Sequence, residues 1–214
     1  MKKIYDFYFP EWDNHFENFF NKDRGYQEAQ RNRALAHVVE FEVAVDCGAH
    51  VGLWSRDLSV FFDKLYCFEP VKEFFECLKS NILSKNVEFY NSALGKEFSQ
   101  GEILITKNSG NSGQTHLIKD KKKQYEKDDI IQKIEILHLD NLNLNKLDFF
   151  KIDVEGLALD VLQGSKKTLE VCNPVVCIEL FESKEKKEQM SFLESLGYNL
   201  VDVIIKEHIF LKNS

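Results

Sequence analysis

Four acidic residues, Asp46, Glu69, Asp153 and Glu179, each close a short apolar run, and that placement is the first chemical signal in the chain. In VAVDCGAHVG (Val43–Gly52) an apolar strand delivers Asp46 to its carboxyl end, and Gly48 permits a tight turn. Gly48 and Gly52 lack side chains, so a ligand can approach the backbone and a helix can pack on the strand. The helix that follows is expected to offer unpaired N–H groups to a carboxylate or phosphate. Phe68-Glu69-Pro70 puts a second carboxylate at the end of the next strand, 17 residues after Gly52. There it can accept both hydroxyl hydrogens of a ribose, as an acid about 20 residues on does in dinucleotide folds. In LDFFKIDVEG (Leu147–Gly156), Lys151, Asp153 and Glu155 alternate with Ile152 and Val154, so a strand carries all three charges on one side. Charges at the end of an apolar central strand are out of place unless they line a crevice. A structural salt bridge from Lys151 to a neighbouring acid is the competing reading. PVVCIELFES leaves Glu179 at the end of a further apolar strand. All four acids then fall where open α/β sheets bind ligands.

The elements that must position them follow from periodicity. Residues 1–40 are aromatic and polar, and Tyr26–Val39 reads as a helix with Ala29, Leu35, Ala36 and Val39 on one face. This segment is expected to be an N-terminal helical extension preceding a single main domain over 41–214. From residue 41, strands at Glu42–Asp46, Lys64–Glu69 and Val87–Ser92 alternate with helices running through Phe62 and over Val71–Leu83. Such alternation predicts an α/β fold, a parallel sheet with helices on both faces. Gly101–Thr106 adds a strand, Lys107–Gly113 a polar loop, and Asp120–Asp129 (DKKKQYEKDD) a solvated loop of mixed charge. Regularity resumes at Lys133–Leu139. A strand at Phe149–Val154, a helix at Leu157–Leu169, a strand at Pro174–Leu180 and a helix at Lys184–Leu196 follow. Tyr198–Ile205 and His208–Leu211 close the chain as an antiparallel pair.

Composition narrows the function classes. The 214 residues carry 28 Lys+Arg against 35 Asp+Glu, a formal charge of −7, which argues against a nucleic-acid or anionic-membrane binder. With 43% hydrophobic and 13% aromatic residues, the chain has the material for a core and is not disordered as a whole. Five cysteines without a CxxC pair form neither a disulfide framework nor a zinc site, so reduced thiols and a cytoplasmic location are expected. MKKIYDFYFPEWD has no signal-peptide apolar stretch, and no apolar run approaches the ~20 residues of a membrane helix. Lysine outnumbers arginine 24 to 4, a bias that suggests an AT-rich microbial or viral genome.

Taken in order, DCGAHVGLWS (46–55), CFEPV (67–71), NSALG (91–95), SGNSG (109–113), LHLDNL (137–142), KIDVEGLALDVLQGS (151–165), NPVVCIEL (173–180) and LGYNL (196–200) resemble the FkbM-type S-adenosylmethionine-dependent methyltransferases. KIDVEG followed by VLQG is the most diagnostic piece. The resemblance implies a class I Rossmann-like fold, with a seven-stranded, mostly parallel sheet in the order 3-2-1-4-5-7-6 and the last strand antiparallel. It also implies S-adenosylmethionine as cofactor, with Asp46, Gly48, Ala49 and Gly52 around the methionyl part. Glu69 and the adjoining Pro70 would meet the ribose and Ser92–Ala93 the adenine edge, while Asp153 would face the methyl group and the acceptor. Two positions depart from the family pattern: His50 stands where Asn is usual and can bond the cofactor carboxylate in its place, and Ala158 replaces a usual Glu near the acceptor.

The implied reaction is O-methylation of a sugar, glycan or small natural product, with no nucleic-acid or membrane partner. Transfer to oxygen is an in-line displacement with the acceptor held about 3–3.5 Å from the methyl carbon. Asp153 or Glu155 is expected to position or deprotonate the hydroxyl, with Lys151 and Glu179 setting their charge state. A variant has Asp153, Glu155 and Glu179 hold a hard cation such as Mg²⁺; the main reading needs no metal. His116 and His138 are alternative bases, and the SGNSGQT loop is the candidate lid. Two rivals stand beside this reading. A nicotinamide-dependent oxidoreductase shares the glycine turn, but Asp46 stands at the first glycine of its GxGxxG. A non-catalytic cofactor-binding protein is left open by Ala158.

Overall fold

The computed structural model describes residues 1–20, 25–113, 115–118 and 129–212. The charged run at Asp120–Asp129 therefore lies outside the described residues except for its last member. Residues 1–40 differ from the helical expectation. They open with a hairpin, β1 (Lys2–Ile4) and β2 (Phe7–Phe9), followed by helices α1 (His15–Phe20) and α2 (Glu28–Leu35). The alternation Phe7-Tyr8-Phe9 explains the hairpin, because it turns Phe7 and Phe9 to the same buried side. α2 and the turn after it bury a face that shares only Leu35 with the expected one. Arg31, Ala34, Leu35 and Val38 are buried at helical spacing, whereas Ala29, Ala36 and Val39 are exposed. Burying Arg31 is tolerated because Asp57 lies 2.5 Å from its guanidinium.

The body alternates strand and helix: β3 (Val43–Cys47), α3 (Ser55–Phe61), β4 (Lys64–Phe68), α4 (Lys72–Asn81), β5 (Val87–Tyr90). Next come β6 (Ala93–Leu94), β7 (Ser99–Thr106), β8 (Thr115–Leu117) and β9 (Asp129–Leu137). The chain ends with β10 (Phe149–Ile152), α5 (Ala158–Gln163), α6 (Lys166–Cys172), β11 (Val175–Glu179), α7 (Lys184–Ser195), β12 (Tyr198–Ile204) and β13 (Glu207–Lys212). Seven strands form the central sheet in the order β12-β13-β11-β10-β3-β4-β5. Its pairs are parallel from β11 through β5, and β13 runs antiparallel to both neighbours, so the sheet is mixed.

Period-2 alternation along the strands divides the core. Val45, Cys47, Phe150, Ile152, Val176 and Ile178 face α5, α6 and α7. Ala44, Leu65, Cys67, Phe149, Val175 and Cys177 face α2, α3 and α4. The thiols of Cys47, Cys67, Cys77 and Cys177 are buried and free. The helix read over Leu157–Leu169 is two helices parted at Gly164–Ser165, where a Cβ added at Gly164 would lie 1.9 Å from the Gly95 carbonyl oxygen. A second sheet, β6-β9-β7-β8, was not anticipated as a unit. Its Ile103, Ile105, Ile134 and Ile136 join Phe7, Phe9, Phe16 and Phe20 of the N-terminal segment in a third core cluster. Among the described residues, no helix is long and apolar enough to cross a membrane.

Candidate functional site

Register places the charged residues side by side. Lys151 on β10 lies directly opposite Asp46 on β3, and Glu179 on β11 opposite Glu207 on β13. Asp46 and Lys151 share the parity of Ala44 and Phe149, so both project from the face covered by α2, α3 and α4. The Lys151 ammonium is 3.1 Å from Asp153 Oδ2 and 3.6 Å from Asp46 Oδ1, and it lies 5.3 Å from the Trp54 ring centroid. Ser55 donates a 2.5 Å hydrogen bond to Asp46 Oδ2. Burial pulls the lysine downward, but the anionic Asp153 and Asp46 outweigh it and hold the ammonium above the ordinary lysine range. Asp153 is held below the usual carboxylate range: burial raises it, yet Lys151 and a hydrogen bond with Glu179 prevail. Glu179 is pushed up to about 8 by burial and then by the neighbouring Asp153. At neutral pH the pair is thus an ionised Asp153 accepting a hydrogen bond from a protonated Glu179.

The expected strand at Phe149–Val154 stops at Ile152, which corrects the placement of Glu155. Asp153 still donates its N–H to the Cys47 carbonyl at 3.0 Å, but the chain then turns through Gly156 at φ +71°. Glu155 is therefore carried to the exposed rim of the cavity instead of sharing a strand face with Lys151.

The glycine turn is also built differently from the anion cradle read in the sequence. Gly48 and Ala49 both donate to the Phe68 carbonyl at 3.0 Å, His50 N–H to Glu69 Oε2 at 2.9 Å, and Gly52 N–H to the Ala49 carbonyl at 2.8 Å. The first three of these donors draw the turn against the end of β4, and the fourth closes the turn on itself. Gly48 is at φ +83°, and a Cβ there would lie 1.9 Å from the Asp153 carbonyl oxygen, so only glycine fits. Gly52 packs against Leu78 and Ile82 and does not line the cavity. Glu69 also accepts from Val71 N–H at 2.7 Å, and burial, opposed by these two donors, pushes its carboxyl up to about 7.

Asp46, Gly48, Ala49, His50, Glu69, Pro70, Ala93, Lys151, Asp153, Glu155 and Glu179 all line one cavity of about 310 Å³ at the carboxyl ends of the strands. Ser92 lies behind its wall, buried, with a hydroxyl that has no hydrogen-bond partner. His138 follows β9 away from the cavity, Ala158 is buried in α5, and the side chain of His116 lies outside the described ones. Among the described residues, no group of three His, Cys, Asp or Glu is placed to hold a metal ion.

The cavity has further walls at Phe16, Tyr26, Trp54, Phe181 and Lys206, none of them a candidate site residue, and at Ser112 of the loop read as a lid. Trp54 Nε1 donates to Gln27 Oε1 at 2.6 Å, and burial above all holds the Tyr26 phenol far above its ordinary range. The density of aromatics in residues 1–40 was the available signal for this wall. His50, expected near a cofactor carboxylate, has its Nε2 2.9 Å from Ser112 Oγ. Its ring is 4.7 Å from that of Phe74 and 5.4 Å from that of Phe16, and burial lowers it to about 4, so it is neutral at physiological pH.

Comparison with solved structures finds the same architecture. An FkbM methyltransferase from Methylobacillus flagellatus KT matches with a TM-score of 0.54 at 15% identity, over 79% of this chain and 43% of that one. A precorrin-6y C5,15-methyltransferase from Geobacter metallireducens GS-15 matches with a TM-score of 0.52 at 11% identity, over 86% and 87% of the two chains. A precorrin-8w decarboxylase from Methanobacterium thermoautotrophicum matches with a TM-score of 0.51 at 12% identity, over 86% and 90%. At these identities the likeness is one of fold: a Rossmann-like α/β methyltransferase fold with a mostly parallel central sheet. The chain spans less than half the length of the Methylobacillus protein. No curated protein sequence matches it. The sequence model of the methyltransferase FkbM domain matches residues 46–200, a stretch that begins at Asp46 and takes in Glu69, Lys151, Asp153 and Glu179, and by that match the chain belongs to the FkbM methyltransferase family.

Proposed function

We propose that the chain is an S-adenosylmethionine-dependent methyltransferase acting on a hydroxyl group of a sugar, glycan or small natural product. The observation that carries this reading is the buried Asp46 in the cavity wall, whose Oδ1 accepts no hydrogen bond among the described residues and has only the Lys151 ammonium, 3.6 Å away, beside it. At 3.6 Å that ion pair leaves the oxygen short of a full hydrogen bond, and an ammonium such as that of the cofactor's methionyl part would supply one. Gly48 and Ala49 give that part room, and Gly52 acts by packing the helix behind it. Glu69 and Pro70 would flank the ribose, with lone pairs left on a carboxylate already fixed by two N–H groups, and Ala93, with Ser92 behind it, would border the adenine.

When bound, the cofactor supplies an electrophilic methyl group on a sulfonium. The acidic wall stabilises that positive charge. Lys151 keeps Asp153 ionised so that it accepts a hydrogen bond from the acceptor hydroxyl and orients its oxygen. Asp153 would take the proton that the acceptor hydroxyl loses on methylation, its negative charge until then being shared through the hydrogen bond from Glu179. Glu155, on the rim, contacts the outer part of the acceptor. Aromatic faces at Trp54, Tyr26 and Phe181 suit the apolar face of a ring-shaped acceptor.

Calorimetry with S-adenosylhomocysteine, and with NAD as control, tests the cofactor: binding of the first without the second is expected. Binding of NAD alone would transfer the chain to the oxidoreductases. Asp153→Asn should lower transfer of labelled methyl by at least about 100-fold while S-adenosylhomocysteine affinity stays within a few-fold. Full activity in that variant would remove Asp153 from its role.

A further inference from the structure

The polar loop between β7 and β8 is not a free lid. Asp13, which is fully buried, accepts the Ser112 N–H at 2.9 Å through Oδ2 and the Phe16 N–H at 3.0 Å through Oδ1. The Gly110 carbonyl accepts N–H groups from both Asn14 and His15, at 2.8 and 2.9 Å. On the cavity side the Ser112 hydroxyl meets His50 Nε2 at 2.9 Å, and the His50 N–H in turn fixes Glu69. The N-terminal segment, the loop and the glycine turn are therefore joined through one buried serine, which is 1% exposed.

His50 occupies the left-handed region at φ +51°, where Asn is tolerated better than most side chains. An Asn there keeps the turn, but its amide extends only about as far as the imidazole Nδ1 and stops short of Ser112. The longer imidazole spans that gap. We infer that His50 is a positioning residue that, through Ser112, holds the loop closed over the Glu69 end of the cavity, so that a bound cofactor is enclosed there by the N-terminal segment as well as by the sheet. The consequence for cofactor retention rests on the function proposed above; the closure of the loop does not.

Two measurements test the inference on the full chain. Amide hydrogen exchange at residues 110–113, without ligand, should accelerate about two- to tenfold in His50→Asn and in Ser112→Ala, the range expected for one hydrogen bond. His50→Gln, whose amide reaches the Nε2 position, should restore the wild-type rate within about twofold. Dissociation of S-adenosylhomocysteine should speed up in the same two variants and recover in His50→Gln. Wild-type exchange in both His50→Asn and Ser112→Ala would overturn the inference. So would faster exchange in His50→Asn that His50→Gln does not reverse, because the ring's bulk and not its hydrogen bond would then be responsible. If the wild-type chain does not bind S-adenosylhomocysteine, the cofactor reading fails, and the exchange measurements by themselves decide the role of His50.

Discussion

Replacing Lys151 by Met tests how the charged centre is held together. The lysine is 4% exposed and is the cation shared by Asp46, which is 0% exposed, and Asp153. Met matches the volume of the stem and removes the charge. Asp46 then keeps the Ser55 hydrogen bond and Asp153 its bond with Glu179, but two buried carboxylates lose their counter-ion. Breaking a buried pair by removing one partner costs about 3–5 kcal/mol. At roughly 2–4 °C per kcal/mol for a chain of this size, the melting temperature should fall by about 6–20 °C. The loss should shrink on acidification. In the variant the carboxyl groups have folded-state pKa values raised above their unfolded ones, and the stability such groups contribute is present at low pH and lost as pH rises through the folded value. Urea unfolding followed by circular dichroism at pH 7 and pH 5 measures both effects. Adding Asp46→Asn to Lys151→Met should recover part of the loss at pH 7. A deficit below about 1 kcal/mol at pH 7, or one that grows at pH 5, would refute the claim that Lys151 neutralises buried carboxylates.

Two further perturbations bear on the same centre. Glu179 has a folded-state pKa raised to about 8, so its contribution is intact below its ordinary value near 4.5 and is lost as pH rises through about 8. The methyl-transfer rate should therefore fall above pH 8, and Glu179→Gln, whose amide still donates to Asp153, should flatten that limb; an unchanged profile would separate Glu179 from the reaction. Gly48→Ala forces a Cβ against the Asp153 carbonyl at a left-handed φ and should cost more than about 2 kcal/mol. An unchanged urea midpoint would refute the close approach of the two strand ends.

What was legible in the chain followed from burial on two faces. β3, β10 and β11 read as short apolar runs ending in acids because a central strand covered on both sides leaves polar residues only where it opens into the cavity. The position of Glu155 was not legible, because strand alternation gives no notice that Gly156 adopts a left-handed φ and turns the chain away. Nor was the use of the glycine turn's N–H groups, since their acceptors, the Phe68 carbonyl and the Glu69 carboxylate, belong to the next strand. The second sheet depends on pairing β7 with β9 across residues 107–128. The aromatic wall depends on which helical face packs inward, and α2 buries Arg31 while Ala29 stays exposed, Asp57 compensating the guanidinium.

The place of β3 between β4 and β10 fixes an order of assembly. Val43 pairs with Lys64, a short way along the chain, whereas Ala44 pairs with Phe149. At about 5–20 residues per second of synthesis, roughly 5–20 s separate the emergence of β3 from that of its second neighbour. Through that interval one edge of VAVDC lacks its ladder, the condition under which strands associate with other chains. The Asp46 carboxylate, later buried against Lys151, is then hydrated near the carboxyl end of that strand. A charge on an exposed strand edge is a feature that disfavours its pairing with other chains.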